Sequence, residues 1–123
     1  MKFNRINILF FLVLTVLPLL VLRQWFLPGL PQTHDAEAHI SRSAVFAKSL
    51  GEGNILPRWG GYLNWTYGTP VIMFLYPGTP YVSALINLAT GLRFIDIYKL
   101  LMITTYVLSG WFWFCWIKSL KFS

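Results

Sequence analysis

The stretch PVIMFLYPGTPYVSALINLATGL, residues 70–92, carries no charge and is long enough to cross a bilayer as one helix. Whether it does so decides between two folds. Pro77-Gly78-Thr79-Pro80 interrupts it, and two prolines three residues apart remove two backbone donors and disfavour helix just before each. The helix left uninterrupted, residues 80–90, is too short to cross. In hydrocarbon, freed backbone groups need protein or a water-filled cavity as partners. The segment therefore reads as an interfacial or re-entrant helix over 80–91, with a third transmembrane helix as the alternative.

Two flanking segments read as spans. Residues 6–22, INILFFLVLTVLPLLVL, are uncharged and cover roughly 25 Å at helical rise. Arg23 to Leu27 extend them to a full span over 6–27, which Pro18 is expected to kink. No small-x-small pair follows the apolar run, so it reads as an uncleaved anchor and not as a signal peptide. Residues 100–117, LLMITTYVLSGWFWFCWI, give roughly 27 Å of helix. They close in Trp111, Trp113 and Trp116, then Lys118 and Lys121, an aromatic-then-basic interface pattern that places a second span over 97–117. Lys2 and Arg5 keep residues 1–5 in the cytoplasm, and the lysines of the tail, residues 118–123, favour the same side. The expected fold is an all-α membrane protein with two transmembrane helices flanking a long extracytoplasmic loop, residues 28–96, that carries juxtamembrane or re-entrant helices. A three-span topology would instead strand Lys118 and Lys121 outside.

Composition agrees with lipid as the main solvent. Of 123 residues, 56% are hydrophobic and 11% charged, against about 25% charged in soluble domains. The net charge is +6, but the ten basic residues are scattered and form no basic–aromatic stripe. That excludes nucleic acid and suggests anchoring to anionic lipid head groups. Cys115 is the single cysteine, so no internal disulfide can form. An integral membrane protein, with membrane lipids as its first partners, fits these features.

The rare ionisable groups gather in THDAEAHISR, residues 33–42. Pro28-Gly29-Leu30-Pro31 breaks the first helix. Thr33 can cap a new one over 34–50, with Asp35 and Glu37 in its first turn and Gly51 and Gly53 at its end. Spacings of four, three and four put Asp35, His39, Arg42 and Phe46 on one arc. Ala36, Ile40 and Ala47 form an apolar stripe by which the helix could lie on a membrane, and Glu37, Ser41 and Lys48 form a solvated face. A carboxylate and an imidazole one turn apart can share a proton or a divalent metal, and an arginine one turn further can clamp a phosphate. Desolvation would raise the pKa of Asp35, whereas His39 and Arg42 would lower it. Against this stands the ordinary reading: Asp35 stabilises a helix N-terminus, the trio are surface neighbours, and His34 is a loop residue outside the arc.

The order of short motifs resembles a known family. The anchor is followed by Asp35-x-x-x-His39-x-x-Arg42, then Gly53-Asn54-Ile55-Leu56-Pro57-Arg58-Trp59. Tyr67-Gly68-Thr69-Pro70 comes next, then Phe74-Leu75-Tyr76-Pro77-Gly78-Thr79-Pro80-Tyr81 and a helix ending in Gly91-Leu92. Together they resemble the start of the large bacterial and archaeal membrane proteins called 6-pyruvoyl-tetrahydropterin synthase-related. These in turn look like glycosyltransferases of the GT-C architecture, which take a sugar from a polyprenyl-phosphate carrier on the outer membrane face. The resemblance implies that Asp35 matches the acidic residue near the start of the first outer loop, a base or metal ligand. It also implies that Tyr76 to Tyr81 match a Tyr-Pro-Pro-Leu-Tyr-Tyr-like element opening a juxtamembrane helix, from which Gly78 and Thr79 depart. Transferases of this kind are much longer, so the chain reads as an N-terminal portion, incomplete and inactive alone, whose partner would be the remainder of a larger membrane protein.

Expected roles follow. Asp35 and His39 are the candidate catalytic pair and the candidate ligands of a divalent metal, and Arg42 and Arg58 the candidate phosphate or substrate holders. For Arg58 the simpler role is a snorkelling side chain beside Trp59. Tyr76, Tyr81 and the tryptophans read as interface anchors, and Gly60-Gly61 and Gly68 as turns. A small non-enzymatic membrane scaffold or accessory subunit is the rival function, in which Ser109-Gly110 allows close helix packing. A transporter fragment is weaker, for want of an ionisable group inside a clear span.

Overall fold

The computed structural model describes residues 4–120, and helix is the only regular structure in them. Lys2 and Lys121, read above as cytoplasmic charges, lie outside the described residues. The chain divides into two compact units, Met1–Pro28 with Lys99–Ser123, and Gly29–Tyr98.

The first unit pairs two apolar helices. Helix α1 spans Arg5–Val21, started by Asn4, whose side chain accepts the backbone N–H of Asn7 at 2.9 Å. It ends sooner than the 6–27 span expected from sequence. Leu22 caps it, and a separate 3-10 helix covers Arg23–Phe26. Pro18 has no N–H to give to the turn before it, which weakens the helix near this end. Helix α5 spans Phe94–Ser119; its first residues belong to the second unit and the rest to the first. It starts earlier than the expected 97, with Asp96 in its first turn bridged to Arg93 at 2.8 and 3.2 Å. α5 is long and apolar enough to cross a membrane, and α1, at 17 residues, is a shorter apolar helix.

The contacts between α1 and α5 run in opposite chain directions. Lys99 Nζ donates to the carbonyl of Leu27 at 2.6 Å, the Trp111 indole donates to Thr15 Oγ1 at 3.1 Å, and Phe10 stacks on Phe114 at 5.3 Å. The pair is therefore antiparallel, and Phe11 adds edge contacts to Trp111 and Phe114. Gly110 faces Leu14, where a Cβ would stand 3.5 Å from the leucine side chain. Trp111, expected in an interfacial belt, is instead an interhelical residue, while Trp113 and Trp116 stay exposed. Large apolar side chains such as Leu9, Leu12, Leu20 and Phe112 remain uncovered along both helices.

The second unit is built on two helices. α2 spans Ala36–Gly51, and a single turn, α3, spans Val71–Phe74. α4 spans Gly78–Thr90 and packs along α2. Residues 70–92 thus contain no helix of spanning length, because Leu75 is extended and Pro77 caps a new helix. α4 begins two residues before the expected 80. Pro80 sits in its first turn, where backbone N–H groups have no intrahelical partner to lose. Gly91 closes it with φ 71°, its N–H donating to Asn87 at 2.8 Å.

The core is Phe46, Ala47, Ile72 and Ala84, with Val45, Leu50, Val71, Tyr81 and Phe94 packed around it. Phe46 meets Tyr81 edge-on at 4.7 Å, and the Tyr81 hydroxyl donates to the carbonyl of Ile55. The apolar stripe of α2, expected to lie on a membrane, is largely buried in protein: Ala36 and Ala47 are covered, together with Ser43 and Phe46, and Ile40 is half-buried. Ala84 at full burial explains the choice of α4 as the cover, since a small side chain lets two helices approach closely.

Between α2 and α3 the chain forms a pinned loop. Gly60 and Thr69 exchange backbone hydrogen bonds at 2.8 and 3.2 Å, and Gly68 N–H donates to Leu63 at 3.0 Å. At the tip, Asn64, Trp65 and Thr66 all have positive φ, between 54° and 71°. Left-handed conformations cost non-glycine residues about 1–2 kcal/mol each, so the surrounding hydrogen bonds hold a strained turn. The Trp59 indole lies against the backbone of Gly68, where no Cβ would fit.

Candidate functional site

Asp35 is the N-cap of α2, but its side chain makes no capping bond. Its backbone carbonyl accepts His39 N–H at 3.0 Å, while its carboxylate turns back to His34 Nδ1 at 2.8 Å. The expected cap, Thr33, is exposed and precedes the helix. The hydrogen bond and charge of His34 are the largest influences on Asp35 and hold its pKa below the usual 3.8; His39 and Arg42 contribute least. Asp35 in turn raises the pKa of His34 above 6.5. Desolvation, expected to raise the Asp35 pKa, is outweighed because both side chains stand in water.

The structure therefore gives the residues grouped by the helical wheel different partners. His39 turns its ring onto Tyr98, near parallel at 18° with centroids 6.2 Å apart. With Arg42 it lines a small cleft completed by Leu75, Tyr76, Thr79 and Pro80. Phe46, the last member of the arc, is core. Arg58 belongs to another cleft of about 350 Å³, lined by Phe46, Leu56, Pro57, Ile72, Met73, Leu75, Pro77 and Tyr81. A third, of about 570 Å³, is lined by residues 30–34 and Glu37. His34, set aside in the sequence reading, is the residue that matters to Asp35. Its signal was adjacency in a non-helical segment, which a helical wheel does not register.

A divalent metal at Asp35 and His39 finds little support in this arrangement. Among the described residues, no three of His, Cys, Asp and Glu come together. Asp35 is engaged by His34 and His39 is stacked on Tyr98, whereas protein sites for transition metals ordinarily converge three or four such donors. The donor set does not fit a resident metal.

Chemically, Asp35 is a carboxylate kept ionised at neutral pH, a good partner for cations and donors and a weakened proton acceptor. The Arg58 cleft differs in kind. It is an open cleft lined mostly by apolar residues, with Arg58 the one permanent cation among them. Comparison with protein-family models, curated proteins and solved structures finds no match to this chain.

Proposed function

We propose that the chain is the membrane-anchored, carrier-binding portion of a GT-C-like glycosyltransferase that uses a polyprenyl-phosphate sugar donor. In this reading α1 with the 3-10 helix, and α5, both cross the membrane, and residues 29–98 form an extracytoplasmic module at its surface. The supporting observation is the Arg58 cleft, apolar walls with a single guanidinium. An isoprenyl phosphate needs both features, hydrocarbon for its chain and a fixed cation for its phosphate. Arg42, beside His39 in the neighbouring cleft, is the second phosphate-holding candidate. Asp35, ionised and exposed, would orient a hydroxyl acceptor more readily than deprotonate it.

The test is a titration of the full chain in lipid nanodiscs with farnesyl phosphate and with farnesol. A charge-assisted hydrogen bond of about 1.5–3 kcal/mol predicts that the phosphate binds at least about tenfold tighter, and that Arg58→Gln removes the difference. Equal affinity for the two ligands contradicts the reading. A non-enzymatic scaffold or accessory subunit is the second reading, favoured by the engagement of Asp35 with exposed His34 and not with His39 and Arg42. It predicts that neither ligand binds in preference.

A further inference from the structure

The loop between α2 and α3 carries the most exposed aromatic side chains in the second unit. Trp65 is 90% exposed and Tyr67 83%, and Ile55, Leu56, Met73, Phe74 and Tyr76 are exposed on the flanking chain. Trp65 sits at the centre of the left-handed turn that the Gly60–Thr69 and Leu63–Gly68 hydrogen bonds enforce. A turn held in a disfavoured conformation, with a tryptophan at its apex touching no core, points to an external requirement at that position.

We propose that this loop is a membrane-interface finger, which seats Trp65 and Tyr67 at the boundary between head groups and acyl chains. Residue type selects the bilayer as occupant: tryptophan and tyrosine are the side chains that settle at that boundary. Charge does the same. Between α2 and α3, residues 53–70 contain no acid, and their one charge is Arg58. Lys48 adds a second cation, lying 3.5 Å over the ring of Tyr62 within the loop. Anionic head groups meet only positive charge along residues 53–70.

The proposal rests on the membrane-spanning part of the preceding reading and is independent of carrier binding.

The test uses the full chain with Cys115 replaced by alanine, in vesicles of phosphatidylcholine and phosphatidylglycerol. Spin labels are placed at Trp65→Cys, at Tyr67→Cys, at Glu37→Cys on the solvated face of α2, and at Leu108→Cys in α5. Relaxation by molecular oxygen and by a water-soluble nickel chelate is then measured. Labels at 65 and 67 should be several-fold less accessible to nickel than the label at 37, while remaining open to oxygen. Nickel accessibility equal to that at 37 overturns the proposal. Shielding from both reagents also overturns it, in favour of a protein covering the loop. The label at 108 separates the failures: if it is oxygen-accessible and nickel-shielded, the span stands whatever the loop does. Agreement between 65 and 67 guards against a local effect of either substitution.

Discussion

Replacing Gly68 with alanine tests whether the finger is held as the structure shows. The added Cβ would stand 2.4 Å from Trp59 Nε1 and 2.7 and 2.9 Å from Cε2 and Cζ2, all too close. The indole must move, at a cost of about 1–3 kcal/mol for an overpacked contact. Trp59 is half exposed and can swing outward, which favours the lower end. The φ of +77° at Gly68 adds about 1–2 kcal/mol. Gly53→Ala is the control, because its φ is +88° and nothing lies within 4 Å of the new Cβ. Its cost is the backbone cost alone. Hydrogen exchange at the amides of Gly60 and Thr69, which bridge the loop, reads the local effect. A loss of about 2–3 kcal/mol corresponds to exchange faster by roughly 30- to 150-fold, in Gly68→Ala and not in Gly53→Ala. Equal exchange at these amides in the two variants would refute the contact between Trp59 and the Gly68 backbone.

Phe46→Ala removes a ring that is 1% exposed and packed on Tyr81. It should destabilise the second unit by about 3–5 kcal/mol, seen as lost amide protection in α2 and α4 with α1 and the part of α5 beyond Tyr98 unchanged. The His34–Asp35 pair should titrate as a unit in a nuclear magnetic resonance pH series. Asp35 holds His34 above 6.5 and His34 holds Asp35 below 3.8. The attraction is thus complete between those values, fading as pH rises through the His34 pKa or falls through that of Asp35. Asp35→Asn should return His34 to its ordinary midpoint, and a midpoint that does not move would dissociate the pair.

Much of the helical architecture was legible because its signals are local. The uncharged runs mark the long apolar helices and Gly91 marks a helix end by residue type alone, and Gly51 and Gly53 bracket the end of α2. Pro80 misled by two residues, since a proline in a first turn supports a helix that it would break one turn later. The end of α1 at Val21 was hidden because no glycine or proline in residues 22–26 marks a stop, and the chain tightens there into a 3-10 turn, which residue type does not announce. The site was less legible. A helical wheel orders residues around one axis, but α4 covers the wall carrying Phe46, Ala47 and Ser43. His39 lies at the edge of that wall and is taken up by Tyr98, while Asp35, at the cap, is free to turn back to His34. No one-dimensional pattern marks the Arg58 cleft, because its lining comes from α2, α3, α4 and the loop at once.

In the proposed topology residues 29–98 stand outside a membrane that both apolar helices cross. Intact cells expressing the chain with Cys115 replaced, carrying either Glu37→Cys or Ser119→Cys, can be treated with a membrane-impermeant maleimide. Both positions are exposed in the structure, so reactivity reports the side of the membrane. That topology predicts labelling at 37 and protection at 119 until the cells are opened. Labelling at 119 from outside, or protection at 37, would contradict it.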